Sequence, residues 1–257
     1  MLKRLREIWY GLKTRRELSR WQALTDRAKD MPRTELRRWR ARARHLGRTL
    51  DRFVAKADDR LADPAIGSEF MRKPKLSDWA FRPIPWRLPV RPHGLANVDS
   101  GTNICDGVSI HHDSPGNNLI FRQNRSTETD DLAPFSVSIE TLWAEGNFLS
   151  LSIDIPENVA LTLRRRHILR VDVSWELEHP VEGFVRLNIR HGPNTDQILR
   201  GLSREKRESC VEFDLAYSSV NEKRVDHAWI DLIFENPGFN RIKIGDVAMT
   251  RRQRAEV

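Results

Sequence analysis

The sequence predicts a mainly β protein, an antiparallel β-sandwich or jelly roll preceded by a basic α-helical segment. Three observations support this prediction. Apolar residues recur at helical spacing between residues 2 and 57. Six of the 13 prolines lie between residues 62 and 100. From residue 101 onward, apolar and polar residues alternate in short runs, as in half-exposed antiparallel strands. We therefore expect basic amphipathic helices at 1–61, a proline-rich linker at 62–100 and the sandwich at 101–257.

The helical segment divides into three predicted helices. The first has one apolar stripe, made of Leu2, Leu5, Trp9 and Leu12. Thr14 followed by Glu17 has the spacing of a capping box, so a second helix is expected to begin there and run to about residue 30. Pro32 suits the first turn of a third helix. Its apolar stripe consists of Leu36, Trp39, Ala43, Leu46, Leu50, Phe53 and Ala57. An apolar stripe of this period is expected to be buried, either by residues 14–30 in a helical hairpin or by a second copy of the protein.

The proline-rich segment contains Pro64, Pro74, Pro83, Pro85, Pro89 and Pro92. Proline at this density opposes a regular helix or a central strand. The same segment contains Trp79, Phe81 and Trp86. Since a flexible tether has little use for aromatic residues, we expect this segment to pack along the sandwich.

The strands are predicted from alternation with a period of two. It is clearest in residues 148–153, 169–176, 184–190, 211–215 and 229–234, and further strands are expected near 107–112, 118–123, 134–142 and 240–249. Eight or nine short strands without a long helix between them are typical of a sandwich or jelly roll.

Charge is distributed unevenly along the chain. Residues 1–60 contain 19 basic and 8 acidic residues, a net charge of +11, whereas the whole chain carries +8. Such asymmetry favours an anionic partner, namely nucleic acid, an acidic membrane surface or an acidic protein. A solvated arginine-rich helix pair is the alternative. The N-terminus lacks the apolar run of a signal peptide, and no segment has the length of a membrane span, so we expect a cytoplasmic protein. Cys105 and Cys210 lack metal or redox spacing. They are expected to be two buried thiols in a reducing compartment, and one disulfide between them is the alternative.

Sequence signatures of catalysis are missing. The chain has no G-x-S-x-G, G-x-x-x-x-G-K-[ST], G-x-G-x-x-G or H-E-x-x-H motif. His111 and His112 are adjacent on a predicted strand, so their rings point to opposite faces and cannot share a metal. With Asp113 they could still supply single ligands. We therefore predict a non-enzymatic protein without cofactor or metal. A carbohydrate-active enzyme with an unfamiliar site is the alternative.

The order of the predicted strands resembles that of the galactose-binding-like jelly rolls found in many carbohydrate-binding modules. The segments that carry the resemblance are, in order, 135–143, 147–153, 167–176, 183–191, 213–215, 229–234 and 242–249. The whole chain also resembles a bacterial protein family of unknown function. The resemblance to carbohydrate-binding modules implies a binding module that recognises a glycan or glycoconjugate. A protein–protein scaffold or assembly factor docked on an anionic membrane surface is the second interpretation.

Candidate ligand-binding residues lie on the polar side of the strands and in two loops. Trp229 and Asp231 alternate with buried positions, and Arg186, Asn188 and Arg190 share their side if the neighbouring strand aligns. Loop 190–197 adds His191, Asn194 and Asp196, and loop 221–224 adds Asn221 and Arg224. The alternative is that the helices or residues 79–86 cover the Trp229 face.

The basic helices supply candidate contacts to an anionic surface, namely Lys3, Arg4, Arg6, Lys13, Arg37, Arg38, Arg40 and Arg42. The first helix fits an interfacial anchor, peripheral to the inner face of the membrane. Specific nucleic-acid binding is not predicted because no recognised motif accompanies the arginines. The stripe in 36–57 also predicts a homo-oligomer.

Overall fold

The computed structural model describes residues 2–62, 74, 76–114, 116, 118–126, 132–142, 146–203 and 207–254, and the side chains of 15–50, 53 and the described residues from 74 onward. The chain forms two compact units, residues 1–54 and residues 55–257.

The first unit is helical. Helix α1 (Leu2–Arg27) continues through a 3₁₀ turn (Ala28–Asp30), and helix α2 (Arg33–Ala62) follows. The predicted helix start at Thr14 is wrong, because α1 runs through it without a break. Threonine costs only a few tenths of a kcal/mol inside a helix, and no glycine or proline interrupts this position. Pro32 lies just before α2, and its carbonyl accepts a hydrogen bond from the backbone N–H of Leu36 at 2.9 Å.

The two helices meet near their connection. The rings of Trp21 and Trp39 pack edge to face with centroids 5.9 Å apart, and the guanidinium groups of Arg20 and Arg42 lie 5.4 and 5.7 Å from the Trp39 ring. Farther along α2, the apolar stripe is exposed at Leu46, Leu50 and Phe53. The side chains of residues 2–14 and of Ala57 lie outside the described set.

The second unit is a sandwich of two antiparallel sheets, which confirms the predicted mainly β fold. Sheet A has the order β11 (Glu208–Asp214), β8 (His167–Leu177), β13 (Phe239–Gln253), β6 (Phe135–Leu142), β5 (Leu119–Arg125) and β2 (Gly94–Ala96), and β1 (Ser77–Phe81) also pairs with β13. Sheet B has the order β10 (Asn194–Gly201), β9 (Glu182–His191), β12 (Val225–Glu235), β7 (Phe148–Asp154), β4 (Val108–His112) and β3 (Thr102–Cys105). The chain crosses repeatedly between the sheets, as in a jelly roll.

The core lies between the sheets and is filled by the inward residues of both. Fully buried residues include Phe121, Phe213, Phe234 and Ile230. Trp175 of sheet A packs against Phe234 of sheet B with ring centroids 5.8 Å apart. The apolar sides of the predicted strands are therefore the sides that the sandwich buries.

The proline-rich segment, where prolines are expected to oppose a regular helix or a central strand, contains two short strands and one short helix. Strand β1, helix α3 (Ile84–Arg87) and strand β2 all fall before residue 100. Both strands tolerate nearby prolines because β1 pairs only with β13 and β2 only with β5, and the prolines of this part lie outside the two strands. The described part of the sandwich thus begins at Ser77, not at residue 101.

Side chains replace the sheet hydrogen bonds that this segment lacks. The amide of Gln123 accepts from the backbone N–H of Val90 and donates to the carbonyls of Pro85 and Leu88, at 2.7–2.8 Å. Trp86 is fully buried, and its indole N–H donates to the carbonyl of Ile244 at 3.0 Å. The segment is therefore part of the core.

Both cysteines are free thiols. Burial, together with the nearby carboxylate of Asp106, raises the pKa of Cys105 to about 11. Cys210 is exposed, so the expectation that both thiols are buried is wrong for Cys210, which lies on the outer strand β11 of sheet A. None of the helices in the described ranges combines the length and the apolarity that crossing a membrane requires.

Candidate functional site

The outer face of sheet B brings four of the predicted ligand-binding residues together. Trp229 of β12 lies opposite Asn188 of β9, and Asp231 lies opposite Arg186. Because side chains alternate along each strand, all four share the face that points away from the core. Arg190, two residues beyond Asn188, lies at the edge of the same face, where its Nε pairs with Asp226 Oδ1 at 2.7 Å.

A compact polar network links these residues. Arg186 donates from Nε and Nη2 to Oδ2 of Asp231 at 3.0 and 2.9 Å, and Asn188 Nδ2 donates to the same oxygen at 2.8 Å. Asp231 and Asn188 are buried, whereas the side chain of Arg186 is about 38% exposed. A buried carboxylate thus orients a guanidinium that reaches solvent.

Parts of this network have no partner in the described chain. Arg186 Nη1 forms no hydrogen bond with any described residue. Oδ1 of Asn188 is buried and likewise has no partner there. Arg186 therefore keeps donors for a ligand while its other edge is held by Asp231.

A groove beside the network crosses four strands of sheet B and has a volume of about 540 Å³. We call it the sheet B groove. Its lining residues are Phe148, Ser150, Phe184, Arg186, Gln197, Leu199, Ile233 and Glu235. Half of them are aromatic or aliphatic, and the others carry hydroxyl, amide or charged groups. Apolar walls with a few polar groups, at this size, are typical of small-ligand sites.

Trp229 lies beyond the groove, next to a second depression. Its ring stacks on that of His227 with centroids 5.1 Å apart, and His227 Nε2 lies 3.2 Å from Asp154 Oδ1. This depression, the end pocket, is lined by acidic and basic groups over an apolar base, namely Asp106, Asp154, Glu157, Arg87, His227, Phe81 and Ile84 among others. No group of three or more His, Cys, Asp or Glu side chains in the described ranges has the geometry to hold a metal ion.

The alternative in which residues 79–86 cover the Trp229 face stays a prediction, and Phe81 and Ile84 of this segment line the end pocket beside Trp229. Trp79 and Phe81 stack at 5.8 Å and pack with the core, and Trp86 is bonded to sheet A. Trp229 remains half-buried.

The predicted loop 190–197 is a tight hairpin instead. Gly192 and Pro193 form the turn, with Gly192 at φ +65°, and residues from Asn194 onward belong to β10. His191 and Asp196 share the inward side with Ile189, opposite to the Trp229 face. Asp196 accepts from the backbone N–H and hydroxyl of Ser219 at 2.7 and 2.5 Å. Because side chains alternate between the two faces of a strand, His191 and Asp196 lie on the opposite face of sheet B from Arg186 and Asn188.

Loop 221–224 lies beside that hairpin. Asn221 Oδ1 accepts from the backbone N–H of Lys223 at 3.2 Å, and the carbonyl of Arg224 accepts from the N–H of Gly192 at 3.2 Å. Asn194, Asn221 and Arg224 therefore form a turn cluster at one end of sheet B and do not line the groove.

The histidine pair has structural contacts. His111 Nε2 lies 3.0 Å from the hydroxyl of Ser109, and His112 is buried with Nε2 2.8 Å from the carbonyl of Val98. Asp113 accepts hydrogen bonds from the backbone N–H groups of Asn147 and Phe148. Slight burial raises the pKa of Asp113, but these hydrogen bonds outweigh it and lower the pKa below its ordinary value. Asp113 thus fixes the start of β7.

Several groove residues were missed by sequence reasoning. Phe148 and Phe184 occupy the polar side of alternating strands, and an aromatic residue there was the signal that could have identified them. Gln197 and Leu199 are not among the predicted site residues because β10 alternates weakly and its first four residues fall in the predicted loop 190–197.

On the helices, the predicted anionic-surface residues Arg37, Arg38, Arg40 and Arg42 are exposed. The side chains of Lys3, Arg4, Arg6 and Lys13 lie outside the described residues.

Comparison with known protein families decides the membership of the chain. A family described as a family of unknown function (DUF6478) matches residues 1–257. The chain belongs to the DUF6478 family. Among curated proteins there is no match.

Solved structures similar to this DUF6478 chain include modules that bind carbohydrates. A family 11 carbohydrate-binding module from Clostridium thermocellum, in complex with a β-1,3-1,4-mixed-linked tetrasaccharide, is 7% identical with a TM-score of 0.39, covering 62% of this chain and 96% of the module. The xylan-binding domain CBM22-1 from Paenibacillus barcinonensis is 8% identical with a TM-score of 0.35, covering 63% and 94%.

The enzymatically active domain of tailspike protein 4 from bacteriophage CBA120 is also similar, at 8% identity and a TM-score of 0.40. The match covers 60% of this chain and 21% of the tailspike, so the chain spans about a fifth of that protein. At these identities and TM-scores, none of the three similarities identifies a ligand.

Proposed function

We propose that the protein is a non-enzymatic binding module and that the sheet B groove recognises a glycan or glycoconjugate. The observation that carries the proposal is the combination of an aromatic groove with a pre-oriented polar network. Phe148 and Phe184 line the groove, and Arg186 is held at its side by the buried Asp231.

The apolar part of the groove suits the C–H faces of sugar rings. Such rings stack on aromatic side chains, and Trp229 adds a half-buried indole on the same sheet face. The groove reaches from β10 to β7, about 14 Å at the usual spacing of neighbouring strands. This width suits a short oligosaccharide rather than a single small ion.

The polar part suits sugar hydroxyls, which both donate and accept hydrogen bonds. Arg186 Nη1 supplies donors, and the carboxylate of Glu235 supplies acceptors. Ser150 and Gln197 supply both, and within the described chain their side chains have no other partner. Because Asp231 already fixes the guanidinium, little conformational entropy is lost when a ligand binds to it.

A glycan array with four variants tests the proposal. We expect the full chain to bind a restricted set of glycans, and Phe184→Ala and Trp229→Ala to weaken binding by about tenfold or more, since stacking contributes on the order of 1 kcal/mol beyond the buried area. Tyr217→Ala and Phe239→Ala are matched controls, because both remove exposed aromatic rings outside the groove. Circular dichroism confirms that each variant is folded.

Two outcomes would contradict the proposal. Absence of glycan binding by the unaltered protein would remove the glycan function and favour the protein–protein scaffold. Equal losses in the control variants would show that the sheet B groove is not the site.

A carbohydrate-active enzyme is the second candidate, and one observation favours it. Asp106, Asp154 and Glu157 line the end pocket together with His227, and glycoside hydrolysis commonly uses a pair of carboxylates. Incubating the protein with its bound glycan separates the two functions. Our proposal expects no cleavage products, whereas cleavage that disappears in Asp154→Asn would establish the enzyme.

The two free thiols fit the cytoplasmic location that we propose for this module. Recovery of the protein from the cytoplasmic fraction of the native cell, with both thiols reduced, would support this location, and recovery from an oxidising compartment would contradict it.

A further inference from the structure

Helix α2 presents an apolar stripe to solvent. Within it, the exposed fraction is 39% for Leu36, 41% for Leu46, 54% for Leu50 and 70% for Phe53. Residues spaced three and four apart lie on one side of a helix, so these side chains form a continuous stripe. Trp39 in the same stripe packs against Trp21. From Leu46 to Phe53, the described side chains of the stripe are exposed.

The rest of α2 is densely basic. Its first 22 residues, 33–54, contain eight arginines and only two acidic residues, and the arginines are Arg33, Arg37, Arg38, Arg40, Arg42, Arg44, Arg48 and Arg52. At 100° per residue they occupy the side opposite the stripe and both of its edges. Arg37, Arg38, Arg40 and Arg44 are exposed and form no ion pair with any described residue.

We propose that α2 binds in the plane of an anionic lipid surface, with its apolar stripe among the acyl chains and its arginines at the phosphate headgroups. A helix of this kind, with leucine and phenylalanine on one side and arginine on the other, is suited to the membrane interface. One lipid surface then supplies acyl chains for the apolar stripe and phosphate groups for the arginines. The anchor predicted at residues 2–12 is thus extended to α2, whose side chains are described at residues 33–50 and at Phe53.

Two other kinds of partner would match only one of the two features of α2, either its apolar stripe or its positive charge. Nucleic acid would neutralise the arginines but offers little to exposed leucine and phenylalanine side chains. A second copy would cover the stripe, but it would bring together two units with a net charge of +11 each. An anionic bilayer alone provides both an apolar phase and compensating charge.

Flotation of the full chain with vesicles tests this proposal. We expect co-flotation with vesicles of phosphatidylcholine and phosphatidylglycerol, and little with phosphatidylcholine alone. Raising the salt from about 0.1 M to about 1 M should weaken the binding, because the Debye length falls from about 10 Å to about 3 Å.

Two triple variants distinguish vesicle binding through the α2 stripe from nonspecific binding through any exposed apolar side chains. Leu46→Ser/Leu50→Ser/Phe53→Ser should reduce the vesicle-bound fraction at least tenfold. Leu142→Ser/Leu161→Ser/Phe239→Ser removes three comparably exposed apolar side chains from the sandwich and should leave binding unchanged. Circular dichroism of both triple variants checks that helix and strand content are retained.

Three outcomes would overturn the proposal. The first is no flotation of the unaltered chain with anionic vesicles. The second is a sedimentation mass of a dimer that the α2 variant alone converts to monomer while vesicle binding is unaffected, which would assign the stripe to a second copy. The third is salt-sensitive binding to duplex DNA with no preference for anionic vesicles, which would assign the arginines to nucleic acid.

Discussion

Gly183 shows how closely the two sheets approach at single residues. A Cβ atom at this position would lie 2.5 and 2.6 Å from two ring carbons of Trp175, across the core. Real Cβ atoms do not come that close to carbon, so Trp175 is buried where it is because residue 183 has no side chain. The glycine is needed here for close packing and not for an unusual backbone angle.

Gly183→Ala should therefore destabilise the sandwich by about 1–3 kcal/mol, the usual cost of overpacking a core. Urea unfolding followed by tryptophan fluorescence measures the change. Gly201→Ala is the control, since its nearest side-chain atoms, in Phe184, are 4.0 Å from the added Cβ. Equal destabilisation by both variants would show that the Trp175 contact is not the cause.

His167 is a buried histidine at the start of β8. Its Nδ1 accepts a hydrogen bond from the backbone N–H of Arg164 at 3.1 Å, which requires a neutral ring nitrogen. Burial, and next the positive charge of Arg251, lower the pKa of His167 below its ordinary value. The unfolded chain therefore binds a proton at this residue at a higher pH than the folded chain does.

This difference predicts a pH dependence of stability. As pH falls below about 6.5, the unfolded state gains a proton that the folded state still excludes, so the free energy of unfolding should decrease until the folded-state pKa is passed. His167→Asn keeps an acceptor and should flatten the profile in this window. Chemical unfolding from pH 7 to pH 5 measures it. His93→Gln, at an exposed site, should follow the unaltered protein, and a profile unchanged in His167→Asn would contradict the assignment.

At the scale of elements, β1 and α3 are attached to sheet A by buried polar contacts. Arg82 donates from Nε and Nη2 to the two carboxylate oxygens of Asp246, both at 2.8 Å, and from Nη2 to the carbonyl of Leu132 at 2.9 Å. Arg82 and Asp246 are both buried. Removing one partner of such a pair typically costs about 3–5 kcal/mol, because the other charge is left without compensation.

A fragment of residues 101–257 should consequently fail to fold. It lacks Arg82 and Trp86, so Asp246 would be unpaired in the interior and the space of a buried indole would be empty. We expect aggregation or the loss of a cooperative thermal transition, whereas residues 74–257 should be monomeric and unfold cooperatively. Gel filtration and circular dichroism compare the two fragments. A monomeric 101–257 fragment with a sharp transition would show that the segment is dispensable.

At the scale of the whole molecule, the excess positive charge and the proposed glycan site lie in different units. Residues 1–54 carry a net charge of +11, whereas the remaining 203 residues carry −3. The proposed glycan site uses a network in which Arg186 is neutralised by Asp231, while the proposed membrane site includes Arg37, Arg38, Arg40 and Arg44, which form no ion pair with a described residue. Location and recognition can thus be altered independently by substitution.

Much of this architecture was accessible from residue patterns. The helical stripe and the strand alternation predict the helices and most strands, because both follow from local periodicity. Strands β1, β2, β3 and β10 were missed. The first three are short, with β1 and β2 beside prolines, and β10 is largely exposed, so none has a clear apolar pattern.

The sequence by itself determined the mainly β class, the basic helical segment and the shared side of Trp229 and Asp231. The first two follow from local periodicity and composition, and the third follows from spacing along one strand. Tertiary structure alone decided that Asp231 is buried, that Phe148 and Phe184 meet at one groove and that His191 and Asp196 point away from it. The reason is register. The pairing of β12 with β7 and β9 joins residues far apart in sequence, and it is selected by packing of the whole core, which no local pattern encodes.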